Sequence, residues 1–182
     1  MINEPLLLVP DSRHGSSVES GMAEVGRRLQ RSVQVASPSG HQPRPIGLRS
    51  HAVPVVVAHG DGARSAIDAI RRKELPAAAL ILVNPVLVPA RSFRLRRSGG
   101  SVFPELPLGI PGAIIWGTDD PSVAPADIAQ AARALPDGPR RRVREWSHLP
   151  MVDDPNRFAE VLDDVLQRIE TSEANSTGLF AA

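Results

Sequence analysis

VPVVVAHGDGA, residues 53–63, is a run of β-branched residues that ends in a sharp turn of small residues. The apolar run is typical of a strand buried on both faces of a sheet. A helical pattern begins directly after the turn, because Ala63, Ala66, Ile67 and Ile70 share one helical face. A strand, a tight turn and a helix form the repeating unit of α/β domains, so this stretch predicts that fold class.

The same alternation extends along the whole chain. Helical patterns lie between the strand candidates, with Val18, Met22, Val25 and Leu29 on one face and Ile128, Ala131, Ala132 and Leu135 on another. We therefore predict a three-layer α/β sandwich with a mostly parallel central sheet. The other strand candidates are PLLLVP (5–10), SVQVAS (32–37), AAALILVNP (77–85), GAIIWG (112–117) and RRRVREW (140–146).

The final helix has clear start signals. Asp154 can cap it, Pro155 suits its first position, and an apolar stripe follows at i, i+3, i+4 spacing. Residues 171–182 continue without that periodicity, so we predict one domain over residues 1–170 and a flexible tail over 171–182. Residues 37–51 and 88–111 are rich in Pro, Gly and Arg, and we expect them to form the pocket walls.

Composition excludes several functions. The net charge is +1 in 182 residues, so no strong field attracts nucleic acid. Cysteine is absent and the histidines lack helical metal spacing, so we expect no metal and no cofactor. No apolar run approaches the length of a membrane span, and no secretory signal precedes the first strand, so a cytoplasmic location is expected.

Four segments together resemble the α/β-hydrolase family. VVVAHGDGA resembles the strand and turn that present the nucleophile, IPGAIIWGTDDPSVAP the strand that ends in the acid, and REWSHLPMVDDPNRFAEVLDDVL the histidine loop and final helix. PLLLVPDSRHGS is similar to the first strand and oxyanion loop. The resemblance covers most of the chain and is closest to small members without a cap domain. An open cleft is implied.

The resemblance implies that Asp120 is the acid and His148 the base of a catalytic pair. An imidazole takes and returns protons near neutral pH, and a carboxylate behind it fixes its tautomer. Asp119 is the competing acid, because the two aspartates are adjacent. Both assignments require the carboxyl ends of distant strands to converge on one crevice.

The family's turn reads small-x-nucleophile-x-small, and Ala58 and Gly62 fit its small positions. Gly60 then stands where the nucleophile should be, preceded by His59. Glycine tolerates the positive φ of this turn, so the geometry is kept while the reactive atom is lost. Shifting the frame by one makes Asp61 a carboxylate nucleophile, whereas the simpler interpretation of Asp61 is the start of the next helix.

Substrate-binding roles are predicted for Gly60, His59, Asp11, Ser12 and Trp116. Gly60 is expected to leave room for substrate, and the backbone N–H of Asp61 is expected to face a developing oxyanion. Because no cap covers the cleft, loops or a second subunit of a homodimer would hold a small-molecule substrate.

Three functional hypotheses follow. The first is His148/Asp120 acid–base chemistry of isomerase, cyclase, dehydratase or lyase type, or activation of water. The second is a hydrolase with Asp61 as nucleophile, acting on an ester, epoxide or halide. The third is an inactive pseudo-hydrolase that binds a small molecule or a protein.

Overall fold

The computed structural model describes residues 4–36, 53–87 and 107–178, with side chains to residue 171. Its centre is a six-stranded sheet in which every neighbouring pair of strands is parallel. The strand order is β2-β1-β3-β4-β5-β6. The strands are β1 (Leu6–Val9), β2 (Val33–Val35), β3 (Val55–His59), β4 (Ala79–Val83), β5 (Gly112–Gly117) and β6 (Arg140–Val143).

Helices cover both faces of this sheet. The helices are α1 (Gly15–Leu29), α2 (Gly62–Arg71), α3 (Pro125–Ala134), α4 (Pro150–Asp153) and α5 (Pro155–Gly178). One core cluster joins one face of the strands to α1, α4 and α5, with Phe158 fully buried in it. The second cluster joins the opposite face to α2 and α3. The predicted three-layer α/β architecture is therefore confirmed.

The central strands explain why the sheet is stable. All five residues of β3 and of β4 are buried, so alternate side chains enter the two core clusters. Full burial of one Val, Leu or Ile side chain contributes about 1.5–3 kcal/mol to the free energy of folding. The edge strand β6 is different, because Arg140, Arg141 and Arg142 are exposed and only Val143 is buried.

The last helix differs from its predicted extent. Asp154 caps it, since its Oδ1 accepts the backbone N–H of Arg157 at 3.1 Å. The helix continues to Gly178, whereas the sequence pattern ended it at residue 170. Apolar periodicity is what marks a helix in sequence, and backbone hydrogen bonding extends here beyond the apolar stripe. The short helix α4 was not predicted.

The proposed pocket walls lie mostly outside the described residues, which exclude 37–52 and 88–106. Within the described part of the chain, no helix combines the length and apolar character needed to span a bilayer.

The topology brings five chain segments to one edge of the sheet. Because all strands are parallel, their carboxyl ends lie together, and the residues that follow β1, β3, β4, β5 and β6 are neighbours there. These residues include Asp11, Gly60, Asn84, Asp120 and His148.

Candidate active site

Gly60 is the left-handed residue of the turn after β3. Its φ is +57°, whereas Asp61 has a helical backbone with φ −73° and ψ −15°. The N–H of Gly60 donates to the carbonyl of Val83 at 3.1 Å, and its own carbonyl accepts the N–H of Val86 at 2.9 Å. The apex of the turn is therefore Gly60, and the frame that puts Asp61 at the apex is wrong.

His148 and Asp120 form a close pair at the edge of the sheet. Nδ1 of His148 lies 2.7 Å from Oδ2 of Asp120, and both side chains are largely buried. Asp119 points elsewhere, since its Oδ1 accepts the hydroxyl of Thr118 at 2.5 Å. Of the two adjacent aspartates, only Asp120 contacts the imidazole. The backbone N–H of Ser122 donates to Oδ1 of Asp120 at 2.8 Å and so helps to hold this carboxylate in place.

The contact between the two side chains raises the pKa of His148 and lowers the pKa of Asp120. The hydrogen bond to Asp120 raises the pKa of His148 above 6.5, against the opposing effect of burial. Burial raises the pKa of Asp120, but hydrogen bonds from His148 and Ser122 outweigh it and lower the pKa below 3.8. The protonated imidazolium therefore persists to higher pH than in a free histidine.

Asp11 fills the space beside Gly60 that was expected to hold substrate. A Cβ added to Gly60 would lie 2.9 Å from Cβ and 3.1 Å from Cγ of Asp11, and closer still to Oδ2. Oδ2 of Asp11 lies 3.7 Å from Nε2 of His148 and 3.4 Å from the backbone nitrogen of Asp61. Gly60 was expected to leave room for substrate, and the N–H of Asp61 was expected to face an oxyanion. Both expectations are corrected, because the fully buried carboxylate of Asp11 fills the space beside Gly60 and lies against that N–H.

The second oxygen of Asp11 is held by the loop after β1. Oδ1 accepts the N–H of Arg13 at 2.8 Å, lies 3.1 Å from Nδ1 of His14, and is 3.8 Å from Nε of Arg13. Burial raises the pKa of Asp11, but the N–H groups of Arg13 and Asp61 outweigh burial and lower this pKa to about 2. Asp11 is therefore an ionised carboxylate at neutral pH.

Asp61 and Ser12 pair with each other. Oδ1 of Asp61 accepts the N–H of Ser12 at 2.8 Å, and Oδ2 accepts its hydroxyl at 2.5 Å. The Asp61 carboxylate thus fastens the start of α2 to the loop after β1. Both residues belong to the edge that holds the site, but their polar atoms are committed to each other.

His59 lies beside His148, with the two rings tilted by 53°. Its Nε2 donates to the carbonyl of His148 at 2.7 Å, and the two rings are 4.8 Å apart. Burial lowers the pKa of His59 from 6.5 to about 4, and the hydrogen bond to His148 opposes this only in part. His59 is therefore a neutral hydrogen-bond donor that positions the histidine loop.

The neutral state of His59 predicts a loss of stability in mild acid. The unfolded chain takes up a proton at His59 below pH 6.5 while the folded chain does not, so the contribution of His59 to stability falls by about 2 kcal/mol by pH 5. Chemical denaturation at pH 7 and pH 5 measures this loss. The lowered pKa values of Asp11 and Asp120 stabilise the fold above 3.8, and this stabilisation is lost only at lower pH. The raised pKa of His148 adds stability below 6.5 and offsets part of the loss at His59.

His59→Gln tests the assignment, because it removes the titrating ring. The variant should lose most of the stability difference between pH 7 and pH 5, whereas His14→Gln, at a partly exposed histidine of the same site, should keep it. An unchanged pH dependence in His59→Gln would contradict the buried, neutral ring.

Asn84 is a site residue that the sequence analysis missed. Its Nδ2 donates to the carbonyls of Ser147 at 2.9 Å and His148 at 3.1 Å, and its Oδ1 accepts the N–H of Gly117 at 2.9 Å. Asn84 has a positive φ of 44°, which asparagine tolerates better than most residues. The signal was the Asn-Pro pair directly after an apolar strand, which marks a turn.

Three side chains could in principle hold a metal ion. Single ligand atoms of Asp11, His14 and His148 lie within 4.8 Å of one another. A carboxylate and two imidazoles are ligands that suit several divalent metals. However, Oδ1 of Asp11 already accepts two hydrogen bonds and lies beside the Arg13 guanidinium, which disfavours a second cation. We therefore interpret Asp11, His14 and His148 as a group of mutually interacting side chains.

A cleft of about 320 Å³ opens beside His148 and is lined by Arg13, His14, Asp119, Ser122, Ser147 and Leu149, among others. This volume is at the lower end of small-molecule sites. The five residues predicted to bind substrate do not line it. Asp11 and His59 are fully buried, and Trp116 packs against the core cluster of α2 and α3 because its side chain is on that face of β5.

No protein-family model matches the sequence, and no curated protein matches it. Several solved structures match the fold of this chain. An α/β-hydrolase enzyme from the metagenome of Mar Chica lagoon sediments in Morocco matches with a TM-score of 0.69 and 15% identity, covering 92% of each chain. A Bacillus megaterium epoxide hydrolase matches at 0.65 and 17%, covering 90% of this chain and 93% of its own.

An esterase from Thermogutta terrifontis matches with a TM-score of 0.65 and 18% identity, over 91% of this chain and 90% of its own. The structure therefore has the α/β-hydrolase fold, as the sequence resemblance indicated. More particularly, the all-parallel sheet with helices on both faces matches a small core of this fold.

Proposed function

We propose that this protein acts on a small organic molecule through proton transfer by His148, without a serine nucleophile. The observation that carries the proposal is the 2.7 Å contact between His148 Nδ1 and Asp120 Oδ2 beside an open cleft. Asp120 holds the tautomer in which Nδ1 carries a proton, so Nε2 is the atom that exchanges protons.

The environment of Nε2 supports this role. Nε2 of His148 is buried and has no hydrogen-bond partner among the described residues. An unpaired buried polar atom of this kind is costly, and reactive sites are where such atoms are retained. His148 also lines the cleft, so its imidazole lies between the cleft and the buried carboxylate of Asp11. A positioned acid–base group contributes about 10²- to 10⁴-fold to a rate.

The alternative with Asp61 as nucleophile is less well supported. Its carboxylate is bonded to Ser12 through both oxygens, and its backbone is helical. An attacking carboxylate needs one oxygen directed at the substrate and near the base. Asp61 meets neither condition in this arrangement.

One observation favours a second candidate, an inactive protein that binds a small molecule. The Asp11 carboxylate fills the space beside Gly60 and faces the backbone nitrogen of Asp61, where a substrate oxyanion would otherwise be stabilised. On this hypothesis the buried pair of Asp11 and His148 is structural, and the cleft serves binding alone.

Substitution of the two adjacent aspartates separates these functions. We expect Asp120→Asn to lower turnover by about 10²-fold or more, because the amide no longer stabilises the imidazolium or its tautomer. Asp119→Asn is the matched control, since this carboxylate lines the cleft but bonds to Thr118 and not to His148, and it should lose far less turnover than Asp120→Asn. The measurement is turnover on a panel of activated esters, alkyl halides and small carbonyl compounds.

Equal rates for Asp120→Asn and the wild type across that panel would exclude the proton-transfer role. Binding of a panel compound without any turnover by the wild type would instead support the inactive, ligand-binding protein.

A further inference from the structure

We propose that Asp11 is a displaced carboxylate nucleophile, which attacks a substrate carbon from the position that the missing side chain at residue 60 would occupy. The inference rests on the proposed function, because it requires His148 to activate the water of the second step. It assigns a catalytic role to a residue that follows β1, whereas the turn after β3 is where this fold carries its nucleophile.

The first support is the position of the carboxylate. Oδ2 of Asp11 lies next to the place of a Cβ on Gly60, and it faces Nε2 of His148 at 3.7 Å. A nucleophilic side chain at residue 60 would likewise lie next to the backbone of the turn and close to the nitrogen of the base. Gly60 is required for this arrangement, because any side chain there would collide with Asp11.

The second support is the unequal environment of the two oxygens. Oδ1 is fixed by the N–H of Arg13 at 2.8 Å and by His14 at 3.1 Å. Among the described residues, Oδ2 has a single long hydrogen bond of 3.4 Å from the nitrogen of Asp61, and it is the oxygen nearer to His148. The geometry thus leaves Oδ2 to attack, while the donors at Oδ1 are placed to stabilise negative charge during hydrolysis.

The chemistry selects an alkyl substrate whose leaving group departs as an anion, such as a halide. In the first step Oδ2 forms a bond to the carbon while the carbon–halogen bond breaks, and the halide leaves with the electron pair. The product is an aspartyl ester. Because a halide leaves as a stable anion, this step needs no proton donor, and the nearest imidazole nitrogen lies beside the attacking oxygen, 3.7 Å from Oδ2.

In the second step neutral His148 takes a proton from water, and the hydroxide adds to Cγ of Asp11. The negative charge develops on the oxygen held by Arg13 and His14. Collapse breaks the bond between Cγ and the alkyl oxygen, His148 returns the proton to the departing alkoxide, and the alcohol is released. The remaining proton goes to solvent, so one alkyl halide and one water give one alcohol, one halide ion and one proton.

Formation of the ester also prepares the base. The ionised Asp11 lies near His148 and favours its charged form. Esterification removes that negative charge, so His148 loses its proton more readily at the step where a neutral imidazole is required. Substrate must reach Asp11 past Arg13 and His14, whose side chains are 64% and 38% exposed and line the cleft.

The test uses 1-bromobutane and the full-length protein. His148→Gln should trap the ester, so mass spectrometry should find one butyl group on the peptide that contains Asp11. Wild-type protein that turns over in water enriched in heavy oxygen should place the label in the Asp11 carboxylate. Asp11→Asn should abolish both signals, with turnover at least about 10⁴-fold lower, whereas Asp164→Asn, at a partly exposed carboxylate of α5 that pairs with Arg168, should keep both.

The outcomes separate this inference from the proposed function. A butyl group on another residue, or none on Asp11 in His148→Gln, overturns the nucleophile. If Asp11 is unmodified while Asp120→Asn still lowers turnover of other compounds, the proton-transfer role of His148 survives alone. If Asp11 is alkylated equally in wild type and His148→Gln and the ester persists in both, Asp11 is the nucleophile and His148 does not activate water. The trapping experiment does not depend on whether Asp11→Asn folds.

Discussion

Replacing His148 with glutamine is expected to lower turnover by about 10²- to 10⁴-fold while leaving the fold intact. Glutamine can still occupy much of the space of the ring, but it cannot take up and return a proton. The carbonyl of His148, which accepts hydrogen bonds from His59 and Asn84, belongs to the backbone and survives the change. Steady-state kinetics on a substrate found in the panel measures the loss.

The control for this variant is His14→Gln, which changes the other histidine that lines the cleft. It removes a contact to Oδ1 of Asp11 but leaves the pair of His148 and Asp120 untouched. A smaller loss than in His148→Gln is therefore expected. If both variants lose the same activity, the two histidines act together on Asp11 and the proton-transfer role of His148 alone is wrong.

The second large effect is expected from Gly60→Ser, which adds the side chain that the turn lacks. The new Cβ would collide with Asp11 in a fully buried site, at a φ of +57° that costs additional strain. We expect a loss of about 2–3 kcal/mol in the free energy of unfolding. This lowers the Tm by roughly 5–10 °C for a domain of this size, and scanning calorimetry measures it.

The double variant of Gly60→Ser with Asp11→Gly tests the cause of that loss. Removing the Asp11 side chain opens the space for the introduced serine hydroxyl next to Nε2 of His148, so stability should recover in part and hydrolysis of an activated ester should appear. The new activity should vanish on adding His148→Gln. Ester hydrolysis by the single variant Gly60→Ser would contradict the collision, since it requires Asp11 and the serine to coexist.

The sequence by itself determined the layers and the parallel sheet, and the family resemblance pointed to His148 and to one of two adjacent aspartates at the carboxyl edge. Runs such as VPVVVA are buried on both faces only in the middle of a covered sheet, so apolar pattern and helical periodicity were sufficient. The small residues around Gly60 likewise indicated a sharp turn, because positive φ is a local property of the backbone.

Tertiary structure alone decided what surrounds these residues. Asp119 and Asp120 are indistinguishable in sequence, and only the loop geometry directs Asp120 at His148. Asp11 and Gly60 are 49 positions apart, so their competition for one space depends on how closely β1 and β3 pair, and no local pattern encodes that distance. The same holds for Asn84, whose amide bonds to carbonyls more than 60 residues away. Local periodicity specifies elements, whereas the chemistry of this site is set by contacts between strand ends that meet only in the folded sheet.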